Sequence, residues 1–226
     1  PHALQMISDG ADILDIGGES TRPGAQEVTI ADEIARTAPI VSAIRETSDV
    51  PISIDTRKSK VAISAIEAGA NMMNDVSAFE FDPDMQLTVA KAKVPVCLMH
   101  AQGSPETMQE NPNYDAVLLD VYDYLQGKVD ATVSAGIPRS QIIVDPGVGF
   151  GKTLEHNLSL LRGISLFHSL GCAILLGVSR KRFIGTIGSA PVASDRMAGS
   201  VAVAMAAVSQ GVQILRLTPR QPWLLL

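Results

Sequence analysis

Ile142–Lys152 reads IIVDPGVGFGK, and the reading of this stretch decides the fold. Ile142, Ile143 and Val144 form a continuously apolar β-branched run, the pattern of a short parallel strand covered on both faces. Asp145, Pro146 and Gly147 stop it, because proline cannot donate to a ladder and glycine weakens one. A carboxylate therefore stands at the C-terminal end of a strand. Gly147, Gly149 and Gly151 let the backbone approach a ligand closely, and Phe150 among them offers a ring to cover it. Gly151-Lys152-Thr153 imitates the end of a nucleotide-binding P-loop, but that pattern needs a glycine where Pro146 stands, so the P-loop reading fails.

Outward from this stretch, the same alternation recurs: a short apolar run, a polar or glycine-rich turn, then a helical pattern. Ile13 to Ile16 leads into Gly17–Gly24 and a helix with apolar Ile34, Ala38, Val41 and Ile44. Pro51 to Ile54 ends at Asp55, with a helix from 58 to 68 closed by Gly69. Ala70 to Met73 ends at Asn74-Asp75, with a helix beginning near Asp84. Val94 to Met99 ends at His100 and is followed by a loop and a long helix from 114 to 135. A helix from 154 to 169 follows the opening stretch. Ala173 to Val178 ends at Ser179-Arg180-Lys181, with an Ala-rich helix from 195 to 210, and Val212 to Leu215 ends at Arg216. These alternations predict parallel α/β architecture. A doubly wound sheet is the alternative, yet no GxGxxG follows the first strand. The predicted fold is a (β/α)8 TIM barrel reduced to about seven strands, its first strand lying before Pro1. Residues 1–216 form the domain, and 217–226 read as an unrelated apolar tail.

Composition narrows the function classes. The chain has 226 residues, a length at which an α/β barrel is a single domain, and a net charge of -6. That balance lacks the clustered basic surface of a nucleic-acid binder. Cys97 and Cys172 each lie inside an apolar run, which predicts buried thiols in a cytoplasmic protein rather than a metal or disulfide framework. The most apolar helical stretch, Ala198 to Val208, is too short to span a bilayer.

In a barrel the C-terminal strand ends meet on one face. That face gathers Asp55, Asn74, His100, Asp145, Lys181 and Arg216, with Thr21, Arg22 and Phe150 from loops. Each alone could be a helix cap or a turn residue, but repetition at strand after strand points to a site. Two carboxylates and a carboxamide suit the N–H-rich edge of a flat heterocycle such as a pterin, and Lys181 and Arg216 suit a carbonyl or an anion. His100 has no second ligand at metal spacing, so hydrogen-bonded structure is its simpler role.

LDIGGESTRPGA, SIDT, MMNDV, CLMHAQGSPETMQ, VDPGVGFGK and GVSRKRFIG, in that order along most of the chain, resemble the dihydropteroate synthases of folate biosynthesis. The resemblance implies a Mg2+-assisted transferase that condenses 7,8-dihydropterin diphosphate with para-aminobenzoate. It assigns the pterin to Asp55, Asn74, Met99, Asp145 and Lys181, with Asp55, Asp145 and Lys181 catalytic. The aminobenzoate, or a sulfonamide drug, falls to Thr21, Arg22, Pro23, Phe150, Ser179 and Arg182, and the diphosphate to Arg216. It also implies a homodimer. A methyltransferase acting on methyltetrahydrofolate would share the pterin grip, but the SRK run and the STRPG loop favour the synthase.

Two departures bear on activity. The family's Mg2+-associated Asn belongs to a strand that would precede Pro1, and its R-V-H strand here reads Arg216-Leu217-Thr218, without the His. The expectation is an intact pterin pocket with impaired turnover, as in a non-catalytic or shortened relative.

Overall fold

The structure, a computed structural model, describes residues 1–21, 25–103, 107–108 and 110–217; the expectations for Arg22, Pro23 and the tail beyond Leu217 lie outside these residues. Seven strands are hydrogen-bonded in sequence order: β1 (Leu14–Gly17), β2 (Ile52–Asp55), β3 (Met72–Asp75), β4 (Val96–Met99), β5 (Ile142–Asp145), β6 (Ala173–Gly177) and β7 (Ile214–Arg216). Every link is parallel. A sheet in which each strand pairs with the next in sequence is a barrel wall, whereas a doubly wound sheet reverses at a switch point. The predicted seven-stranded parallel α/β barrel wall is the observed architecture, open between β1 and β7 among the described residues.

Helices alternate with the strands: α1 (His2–Ser8), α2 (Ile30–Arg45), α3 (Ser59–Glu67), α4 (Met85–Ala92), α5 (Val117–Ser134), α6 (Leu154–Arg162), α7 (Arg182–Ile187) and α8 (Met197–Val208). Thr29 caps α2, its hydroxyl accepting from the Asp32 N–H at 3.1 Å. Thr153, the last residue of the false P-loop ending, caps α6 in a reciprocal pair with His156. The helix expected over 154–169 is broken: α6 stops at Arg162, and a 3-10 segment, Ile164–Leu170, follows. Gly163 marks the break, where a Cβ would sit 2.5 Å from Leu118 Cδ2 on α5. The six-residue α7 was not anticipated, since so short a helix gives little periodic signal.

The pairing register sorts the strand residues onto two faces. Outward Leu14, Ile52, Ile54, Met73, Val96, Leu98, Ile142, Val144, Ile174 and Leu176 join one large buried cluster with the helices. Inward Met72, Cys97, Ile143 and Leu175 form a second, smaller one, with Ala173 and Ile214 against it. The same inward face carries Asp55, Asn74, Met99, Asp145 and Arg216 at the C-terminal strand ends. The barrel interior is thus apolar at depth and polar at its mouth, which is the arrangement that positions a site.

Candidate functional site

β2, β3 and β7 end one or two residues later than their apolar runs suggest, so Asp55, Asn74 and Arg216 are ladder residues rather than the start of turns. Their side chains are therefore aimed by the pleat. Asp55 is buried beside Gly17, where a Cβ would lie 3.3 Å from its own Cβ. Arg216 crosses the interior from β7: its Nη2 donates to Asp55 Oδ2 at 2.8 Å, and its Nε pairs with Asp15 Oδ2 at 2.7 Å. Asn74 Nδ2 donates to the same Asp15 oxygen at 3.3 Å. Burial and the nearby Asp15 charge push the Asp55 carboxyl up to about 7 against the pull of Arg216. Asp15, Asp55 and Asp145 together outweigh the burial that would lower Arg216 and raise its pKa further.

Asp145 closes the other side. It is buried next to Met99 in register, and its Oδ1 accepts the Gly147 N–H at 2.8 Å. Burial raises its pKa, opposed chiefly by Lys181. Lys181 itself is brought down to about 8 by burial, with Asp145 resisting. Its ammonium donates to the Val148 carbonyl and lies 4.7 Å from the Phe150 ring centre. Arg180, held at φ +54°, precedes it; its N–H donates to Ser200 Oγ at 2.9 Å, and Arg196 grips its carbonyl at 3.1 Å. The turn that presents Lys181 is thus tied to the region around α8.

The glycines of the opening stretch serve the protein as well as any ligand. Gly147, at φ +67°, lies so close to the next loop that a Cβ would be 1.8 Å from the His100 carbonyl oxygen. Gly149 leaves room for Lys181, whose Cδ would be 3.0 Å from a Cβ there. His100 has the structural role expected of it: it is buried, its Nδ1 is 2.9 Å from Lys152 Nζ, and it packs edge-on to Tyr124. Lys152 also donates to the Phe150 carbonyl at 2.9 Å, and burial draws its pKa down to about 7. The decoy lysine is a buried brace for the loop carrying Phe150.

A second polar cluster anchors the first loop. Glu19 accepts from Lys58, Arg57 and the Val28 N–H, while Glu33 accepts from Lys58 at 2.9 Å and from Thr56 at 2.6 Å. The two ends of the loop that contains Thr21 are thereby joined at Glu19 and Val28. Thr21 and Ser179 are half-buried. Arg182 is exposed and lines a groove of about 400 Å³ with Gly185, Thr186, Ser189, Pro191 and Arg196.

Asp15 was not among the residues singled out in the sequence. Its signal was present, a lone charge within Ile13–Ile16, but it precedes the strand end where such chemistry was sought. For Mg2+, no group of three or more His, Cys, Asp or Glu side chains among the described residues is placed to hold an ion, and Asp15 and Asp55 already carry Arg216. These residues do not fit a metal site, and no step below passes through one.

Carboxylates, a carboxamide and cations thus converge at the C-terminal mouth of a parallel β/α barrel wall, the face on which barrel enzymes build their sites. Residues 1–218 match the family described as pterin binding enzyme. Dihydropteroate synthase from Synechocystis sp. is 42% identical over 214 residues, covering 95% of this chain and 74% of that protein. The structure of Yersinia pestis dihydropteroate synthase in a sulfonamide drug complex superposes with a TM-score of 0.92 at 42% identity, covering 96% of this chain and 78% of the other. Xanthomonas albilineans dihydropteroate synthase in complex with 7,8-dihydropteroate gives 0.86 at 36% identity, covering 96% and 76%. The chain belongs to the dihydropteroate synthase family of pterin-binding enzymes. No helix among the described residues is long and apolar enough to cross a membrane.

Proposed function

We propose that this chain, through residues 1–216 as one domain, binds a 7,8-dihydropterin diphosphate and condenses it with para-aminobenzoate, giving 7,8-dihydropteroate and pyrophosphate. The observation that carries this reading is the convergence of Asp55, Asn74 and Asp145 with Lys181 and Arg216 at one barrel mouth. The likeness to a relative solved with 7,8-dihydropteroate supports it. Asp55 and Asp145 accept from the N–H edge of the ring, Asn74 supplies both donor and acceptor, and Lys181 meets the ring's acceptor side. Met99 and Phe150 cover its faces, while Thr21, Arg22, Pro23, Ser179 and Arg182 are assigned to the aminobenzoate. In the reaction, the aromatic amine nitrogen forms a bond to the pterin methylene as that carbon's bond to the diphosphate oxygen breaks, and the amine then sheds a proton. Positive charge gathers on the methylene and ring, where the two aspartates stabilise it, and Arg216 meets the departing anion. The rest of the rate enhancement is positioning.

Calorimetry with a pterin followed by a coupled synthase assay tests the two halves of the reading. The expected result is pterin binding that Asp145→Asn weakens at least about tenfold, since a hydrogen bond to a charged group contributes roughly 1.5–3 kcal/mol. Unchanged pterin affinity in that variant would refute the pocket. Binding without dihydropteroate formation would retain the pocket and remove the synthase activity.

A further inference from the structure

Asp15 stands one inward position below Gly17 on β1, at one edge of the sheet, and Arg216 comes from β7 at the other edge. The arginine is held by two carboxylates on different donors: Nε goes to Asp15 and Nη2 to Asp55. The two contacts are not equivalent for a pterin site. Asp55 is a ring-gripping carboxylate in the proposed function and its Oδ2 is already taken by Arg216 Nη2, so a ring that uses this oxygen meets the arginine there. Asp15 stands two residues further from the C-terminal end of its strand than Gly17, the register partner of Asp55; its side chain is 19% exposed against 11% for Asp55, and its Oδ1 is buried without a partner among the described residues. An oxygen left in that state costs stability, so what the carboxylate contributes comes through Oδ2. What Asp15 does hold is Arg216 at 2.7 Å and Asn74 at 3.3 Å, one group from the anion side of the mouth and one from the ring side.

We propose that Asp15 is the positioning residue for Arg216: it keeps Nε anchored while the incoming ring displaces Nη2 from Asp55, so that the freed terminal nitrogens turn to the diphosphate. Arg216 is then the counter-ion of Asp15 and Asp55 before the ring binds and an anion receptor once it has, with Asp15 as the fixed point about which it changes partner. This rests on the pterin reading of the pocket, but the anchoring of Arg216 is testable without it.

Inorganic pyrophosphate and a pterin lacking the diphosphate serve as separate calorimetric probes on wild type, Asp15→Asn and Asp15→Ala. Simple electrostatics predicts that removing a carboxylate strengthens pyrophosphate binding in both variants. Anchoring predicts the reverse: Asp15→Ala weakens pyrophosphate about tenfold, and Asp15→Asn, which can still accept from Nε, falls in between. The pterin affinity measured on the same sample should fall much less, which separates lost anchoring from a damaged fold. In an Arg216→Ala background, Asp15→Ala should cause no further loss of pyrophosphate. Pyrophosphate binding that is equal or tighter in either single variant, or absent from the wild type, overturns the proposal, as does a parallel loss of both probes. A wild type that takes pyrophosphate but no pterin would sink the pocket reading, while the variant series still decides the anchoring.

Discussion

Asp55, with its pKa brought up to about 7, and Lys181, brought down to about 8, face a shared task within a narrow pH range. Asp55 must be ionised to accept from a ring N–H, so ligand capture rises as pH climbs through about 7. Lys181 must be protonated to donate, so capture falls above about 8. The expected outcome is a bell-shaped kcat/KM profile, or failing turnover a bell-shaped pterin affinity, with its maximum between those values. Lys181→Met should flatten the alkaline limb and leave the acid one. At Gly147 a different kind of necessity acts. A methyl group 1.8 Å from the His100 carbonyl cannot be accommodated without moving one of two strand-end loops. Gly147→Ala should therefore lower stability by about 3 kcal/mol in urea unfolding, the upper part of the range of overpacked and strained sites. Asp55, Asn74 and Asp145 were legible in the sequence because each ends an apolar run. Asp15 was not, because it lies inside one and its partner Arg216 is distant in the chain.

Among the elements, the strands were easier to find than the helices. Continuous apolar runs bounded by turn residues mark parallel strands, but α6 was overextended because nothing local reveals that Gly163 must pack on Leu118. The ionic cluster beneath the first loop was equally hidden, since Lys58 meets Glu19 and Glu33 across 39 and 25 residues. All three side chains are at most 5% exposed. Burial raises the stakes of each charge: Lys58→Met would leave Glu33 with only the Thr56 hydroxyl, while Glu19 keeps Arg57 and the Val28 N–H, and should cost about 3 kcal/mol, the lower end of the effect of removing one member of a buried pair. Because this cluster also fixes Val28 against Glu19, the variant should lose aminobenzoate affinity more than pterin affinity, as competition binding would reveal. Equal loss of both ligands would separate the cluster from the loop it supports.

At the scale of the whole molecule, the division into an outer core between sheet and helices and a small inner core beneath the mouth has a practical consequence. Cys97 belongs to the inner core, fully buried on β4, and burial together with the charges of Asp145, Asp15 and Asp55 pushes its thiol well above the ordinary range. Alkylation requires a thiolate, so this sulfur can react only when the barrel interior opens to water. Cys172, also a free thiol, lies outside that interior and provides an internal comparison resolved by peptide mapping. A pterin that binds only the form in which Cys97 is buried should slow Cys97 labelling in proportion to its occupancy and leave Cys172 unchanged. The chain thus contains its own clock for the breathing of its barrel, read by mass spectrometry and needing no added probe.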